Sequence, residues 1–346
     1  MGLRKYLAKR VLYTLALIFL VVCFNYFLFQ VLPFTTSCPH GFTYEQCAES
    51  LYLPTSPPHG SGSAQAEIIA KIRAAISADF GFSQPLLTRI ALYIKDMFTF
   101  NFGYNVGSSA SGPVLSTIEL KAPYTLLLIG TSTIAAFIIG IGMGIVAAAK
   151  RGKAVDLSSL AALLWLSSLP VFFLGAVLEV VQASVTGHSY LNVGVETLQK
   201  TGWAFDAGVL KAFFLPFLTL TLVGIGGVFL TERAVMIDTV AEDYIQIARA
   251  KGLPERTVLF KHAFRNAVLP IFTAFALSIG FILSGAVITE TVFGFPGLGL
   301  ALYEAVITYD FPLEQAMFFI ISAMVIISVL VADLTYGFLD PRVSTG

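Results

Sequence analysis

Residues 241–270 read AEDYIQIARAKGLPERTVLFKHAFRNAVLP. This is the one long charged segment between strongly apolar runs, and it has the grammar of two short helices. Glu242 and Asp243 stand in the first turn of the first piece, and Arg249 and Lys251 in its last. That distribution complements a helix dipole. Gly252 suits the left-handed residue that ends a helix, and Pro254 followed by Glu255 suits the first turn of the next. Val258, Leu259, Ala263 and Phe264 share one face of the second piece. Ala248 and Ala250, beside the turn, are small enough to let another surface come close. The stretch therefore predicts a compact knob with a docking helix at 242–251 and a basic connector at 255–268. An amphipathic segment lying on a bilayer surface is the alternative that the basic residues also suit.

Around the knob the chain is apolar. Of its 346 residues, 56% are hydrophobic and 12% charged, about half the charged share of a soluble domain. The mean hydropathy is +0.81. These values predict an all-α polytopic membrane protein. The 30 Phe and 13 Tyr suit lipid-facing and interfacial positions. No basic footprint for a nucleic acid exists.

Apolar runs at 11–32, 123–149, 157–182, 209–230, 270–289 and 315–334 predict six spans, the first a retained helix instead of a cleaved signal. Gly140, Gly142 and Gly144 read as a helix-packing face; no strand precedes them, as a nucleotide fingerprint requires. Pro170 predicts a kink in the third span. Residues 290–314, ETVFGFPGLGLALYEAVITYDFPLE, read as a loop. The chain then divides into an N-terminus with the first span (1–32), an external insertion (33–122) and a five-helix core (123–346) with the knob at 241–268.

Six spans put both termini on one side, and the cations choose that side. Arg4, Lys5, Lys9, Arg10, Lys150, Arg151, Lys153, Arg233, Arg249, Lys251, Arg256, Lys261, Arg265 and Arg342 are 14 of the 21 Lys and Arg. All lie at the termini, in the 150–153 loop or around the knob. The expectation is a plasma-membrane protein with both termini and the knob cytoplasmic, and with 33–122 outside.

The insertion opens on CPHGFTYEQC. Cys38 and Cys47 are close enough to close a small loop, and an external location favours a disulfide; two free thiols are the alternative. Residues 54–63, PTSPPHGSGS, form a flexible tether. Two amphipathic helices follow, at 64–80 (Ile68, Ile69, Ile72, Ile76) and 84–100 (Leu86, Leu87, Ile90, Tyr93, Ile94, Met97, Phe98).

The chain contains no GxxxxGK[ST] phosphate loop, no HExxH and no GxSxG. His40, His59, His188 and His262 are scattered over loops. No catalytic, cofactor or metal residue is assigned. Glu179, Glu290 and Asp333 fall near the ends of spans, where snorkelling or pairing accounts for them. Asn25, Gln30, Thr273, Ser278 and Ser284 could line a pathway or satisfy a neighbouring helix.

The sequence EDYIQIARAKGLPERTVLFKHAFRNAVLP resembles the cytoplasmic loop of ABC-importer permeases of the oligopeptide/dipeptide type. ETVFGFPGLGLALYEAVITYDFP is similar to that family's loop after the fifth span, and LVADLTYGFLDPRV to its C-terminal end. RKYLAKRVLYTL, GFSQPLLTRIALYIKDMFTFNFG and SGPVLSTI are similar to earlier parts of it. The likeness covers nearly the whole chain except about residues 36–78. Pro254 departs from it, standing where the family loop has Ser. The resemblance implies a pathway formed with a second related permease, a heterodimer. It also implies two ATP-binding subunits carrying ATP and Mg, and an external binding protein that delivers peptides. Oligosaccharides or nickel are alternative substrates, and an ion-coupled carrier acting alone is the competing class. By position, ATPase coupling falls to Glu242, Asp243, Tyr244, Ala248, Arg249, Ala250, Lys251 and Gly252, with Arg256 at the edge.

Overall fold

A computed structural model describes residues 3–31, 70, 84–105, 112–187, 207–282, 287–308 and 310–339. Among these the regular structure is helical, with one isolated bridge between Tyr104 and Pro113. In chain order the helices are α1 (Leu3–Tyr26, continued by a π turn Phe27–Val31), α2 (Leu86–Phe98), α3 (Val114–Ala149), α4 (Ala154–Ser168), α5 (Val171–Thr186) and α6 (Ala207–Val240). They continue with α7 (Asp243–Ala250), α8 (Glu255–Thr257, continued by a π turn Val258–Ala263), α9 (Phe264–Ile282), α10 (Val287–Phe293), α11 (Leu298–Thr308) and α12 (Phe311–Leu339).

Segments within α1, α3, α6 and α12 are long and apolar enough to cross a bilayer, and two bent pairs, α4–α5 and α10–α11, reach the same standard together. The second predicted span starts earlier than expected. Pro123 lies inside α3, which begins at Val114, and interior proline is tolerated where neighbouring groups re-satisfy the backbone. The third is no kinked rod: α4 and α5 meet at 99°. Pro170 lacks an N–H and forces the residue before it out of the helical region, and Leu169 is extended at φ −73°, ψ 132°. Residues 290–314 are not a loop. They hold most of α10, all of α11 and the start of α12, with 87° between α10 and α11 across a Gly-Phe-Pro-Gly corner. Cys38, Cys47, the tether, the helix expected at 64–80 apart from Ala70, and the C-terminal 340–346 lie outside the described residues.

The chain packs as two units, one built on Pro123–Leu300 and the other on Ala8–Ala122 with Ala301–Ile327. In the second unit, α1 and α12 are joined by amides. Asn25 Nδ2 donates to the Gln315 carbonyl at 2.9 Å and Gln30 Nε2 to Gln315 Oε1 at 3.2 Å. Asn25 and Gln30 are five apart, a spacing that an α-helix would splay; the π turn brings them to one partner. Phe24 and Phe29 flank Phe318. Tyr93 and Met97 of α2 are buried, whereas Leu86, Leu87 and Phe98 stay exposed, so its buried stripe is narrower than its sequence suggested.

In the first unit, α3 and α6 cross with backbones almost touching. A Cβ on Gly140 would lie 2.8 Å from Val228 Cβ, and one on Gly144 2.8 Å from Glu232 Cβ. From α6, Gly224 meets Ala136 and Gly226 meets Ser167 of α4. Small residues four apart permit this approach. Gly142 faces away, with nothing near it. One ion pair braces α4 to α6: Arg233 Nε and Nη2 donate to Asp156 Oδ1 and Oδ2 at 2.6 and 2.9 Å, and the Gly152 N–H donates to Oδ2 at 2.9 Å.

Candidate functional site

The knob forms as two pieces around a glycine corner. α7 covers Asp243–Ala250, one residue shorter at each end than the sequence indicated. Gly252 has φ +74°, the left-handed conformation in which glycine carries no Cβ penalty. Its N–H donates to the Arg249 carbonyl at 2.9 Å, and the Lys251 N–H to that of Ile247 at 3.0 Å. Arg249 bridges the corner through Glu255, with Nη2 to Oε1 at 2.7 Å and Nε to Oε2 at 3.3 Å. This half-exposed bridge contributes roughly 0.5 kcal/mol.

An apolar seat holds the knob. Ile245 and Ala248, three residues apart, point inward against Ile145 and Ala148 from the end of α3 and Met236 from α6. The π turn supplies Val258, Leu259 and Ala263, and α9 adds Ala267. Val258, Leu259 and Ala263 therefore form the buried face that their spacing predicted. Burying Ile245 completely contributes about 1.5–3 kcal/mol.

The residues expected to meet a partner divide accordingly. Glu242, Asp243, Tyr244, Ala250, Lys251 and Gly252 are exposed, Arg249 is half-buried in its bridge, and Arg256 is exposed. Ala248 is buried: it shares Ile245's side of the helix, and its small size brings α7 close to the seat instead of to a second protein. Ile247, 56% exposed, was missed, although it lies one turn from Tyr244 and shares its outward face. Leu253 and Phe260 extend the exposed apolar surface.

A second feature lies among α3, α6 and α9, which line a half-open cavity of about 430 Å³. Its polar lining is neutral: Ser132, Thr133, Thr231 and Ser278, with Gly224 and Gly227 opening the α6 wall. Three of these hydroxyls donate to their own helices, Ser132 to Ile129, Thr231 to Gly227 and Ser278 to Ala274, at 3.0, 2.9 and 2.8 Å. Each therefore keeps acceptor capacity and spends its hydroxyl proton within its own helix. Asn25 and Gln30, the other polar candidates, satisfy Gln315 in the second unit. The side chain of Thr273 and all of Ser284 lie outside the described residues. Among the described residues no group of three His, Cys, Asp or Glu side chains is placed to hold a metal.

The profile of the family described as binding-protein-dependent transport system inner membrane component matches residues 140–345, from the α3–α6 crossing through the knob and the bent pair α10–α11 to the C-terminal tail. The chain is similar to the oligopeptide transport system permease protein AppB of Bacillus subtilis, 33% identical over 264 residues that cover 76% of this chain and 82% of the relative. It is similar to the dipeptide transport system permease protein DppB of Escherichia coli K12, 31% identical over 288 residues, covering 78% and 84%. The probable D,D-dipeptide transport system permease protein DdpB of the same strain is 32% identical over 292 residues, again covering 78% and 84%. The chain thus belongs to the family of inner membrane components of binding-protein-dependent transport systems.

Proposed function

We propose that this protein is a permease subunit of an ATP-driven peptide importer in the plasma membrane. The knob carries the reading. It is rigid, held by Ile245 and Ala248 against the ends of α3 and α6, and it turns Tyr244, Ile247, Ala250 and Lys251 outward. A push on that face reaches both helices without first deforming a flexible loop. Two ATP-binding subunits, which hold ATP and Mg, press on it from the cytoplasm. This chain supplies contact and no chemistry. A second related permease completes the pathway, an external protein delivers the substrate, and both termini face the cytoplasm. Peptides are the substrate class that the relatives' names support. The neutral cavity between α3, α6 and α9, lined by hydroxyls that keep acceptor capacity, suits main-chain N–H groups.

Reconstitution into vesicles tests this reading. The chain with its partner permease, ATPases and binding protein takes up peptide only when ATP is present on the cytoplasmic side. Peptide uptake by the chain alone, driven by a proton or sodium gradient, would overturn it.

A further inference from the structure

Glu290, expected near the end of a span with snorkelling or pairing to account for it, is fully buried and paired, and it organises the corner between α10 and α11. Thr125 of α3, also fully buried, donates its hydroxyl to Glu290 Oε1 at 2.9 Å and accepts the Leu298 N–H at 2.7 Å. Glu290 Oε2 accepts the Leu300 N–H at 3.0 Å, and the Glu290 carbonyl accepts the Phe295 N–H at 2.8 Å. Two of the N–H groups left open at the start of α11 are therefore satisfied by one carboxylate–hydroxyl pair. There is no slack here. A Cβ on Gly297 would run into Glu290 Oε2 and Thr125 Oγ1, and one on Gly299 would lie 2.7 Å from Val287 Cα.

Aromatic rings drive the same corner into the helices around it. Phe293 lies against Gly175 of α5. Phe295 packs with Tyr124 and Leu128 of α3 and with Phe213 and Phe217 of α6. The knob's seat uses the far end of the same α3, at Ile145 and Ala148. From Thr125 to Ile145 the helix is continuous and about 30 Å long at 1.5 Å per residue.

We infer that Glu290 and Thr125 form a clamp that fastens the α10–α11 corner to α3, so that a displacement of the knob reaches the corner through one rigid helix. Glu290 is a positioning residue: it touches no substrate, and its role is to make the corner follow α3 during each transport cycle. The inference rests on the permease reading above, since it needs a knob that is pushed. It goes beyond that reading by assigning the output end of the stroke.

The test uses the complete reconstituted importer and measures peptide taken up per ATP hydrolysed. Thr125→Val and Glu290→Gln should each lower that ratio about tenfold, since each leaves a buried acceptor or donor of the clamp unmatched. Assembly with the ATPases and ATP hydrolysis should persist, and Thr125→Ser, which keeps the hydroxyl, should restore the ratio. An unchanged ratio in both variants overturns the clamp, as does Thr125→Ser behaving like Thr125→Val. Hydrogen exchange on the unmodified importer gives a reading independent of variant folding. The amides of Leu298 and Leu300 should stay protected both without nucleotide and in an ATP-trapped state, and loss of protection in either overturns the proposal. Failure of the permease reading looks different: the ATPases would not associate, or uptake would not need ATP.

Discussion

Gly252 offers the sharpest perturbation, because its effect is confined to the backbone. It has φ +74°, and a Cβ added there meets nothing within 4 Å, so a substitution adds strain without a clash. For alanine the left-handed conformation costs roughly 1–2 kcal/mol. A β-branched residue costs more, and asparagine tolerates the region best. What holds α7 down is chiefly the burial of Ile245 with the Arg249–Glu255 bridge, about 2–4 kcal/mol together. Alanine therefore consumes much of the margin and valine most or all of it. With 1.4 kcal/mol equivalent to a factor of ten, uptake by the reconstituted importer should be near normal for Gly252→Asn. It should fall several-fold for Gly252→Ala and about tenfold or more for Gly252→Val, while ATP hydrolysis continues. Wild-type uptake by Gly252→Val would refute the coupling role. Equal damage from Asn and Val would refute the backbone argument, since it would show that the position acts through contact.

Three further outcomes are expected. Ile245→Ala should cost about 2–4 kcal/mol and speed hydrogen exchange across α7, whereas the exposed Ile247→Ala should leave exchange unchanged and weaken ATPase association; identical behaviour of the two would contradict the division into seat and face. Asp156→Asn removes the charge that meets Arg233 and should lower the unfolding temperature in detergent, consistent with a loss of roughly 1.5–3 kcal/mol for the charge-assisted hydrogen bonds of a part-buried pair; an unchanged melting curve would show that the brace contributes nothing. Intact-mass measurement after alkylation without reductant should leave Cys38 and Cys47 unmodified, and labelling of both would disprove their disulfide.

The knob was legible because its signals are local. Gly252 and Pro254 punctuate it, and the spacing of Val258, Leu259 and Ala263 gives its buried face. The burial of Ala248 was not, because alanine carries no preference for either side of a helix; the apolar Ile245 three residues earlier was the available clue. The α10–α11 corner was hidden by its own composition. Three glycines and a proline from Gly294 to Gly299 suggest a loop when read by residue type, and nothing nearby in sequence shows that Glu290 is matched by Thr125, 165 positions away. Pro170 was seen, but whether a proline bends a helix slightly or by 99° depends on what packs on either side. Gly140, Gly142 and Gly144 were read together as a packing face, yet only the first and last meet α6, since a helix turns the middle one away.

The close crossing of α3 and α6 has a mechanical consequence. At Gly140 and Gly144 only the α6 side chains Val228 and Glu232 fill the gap, pressed directly on the α3 backbone; the two helices cannot slide past one another there without collision, but they can tilt, and the crossing then serves as a fulcrum. It is not central. Ala148 at the seat lies about 6 Å beyond Gly144, and Thr125 at the clamp about 22 Å before Gly140, at 1.5 Å per residue. α3 is thus a lever with a short driven arm and a long output arm, and a small nudge at the knob would be amplified roughly threefold or more at its other end.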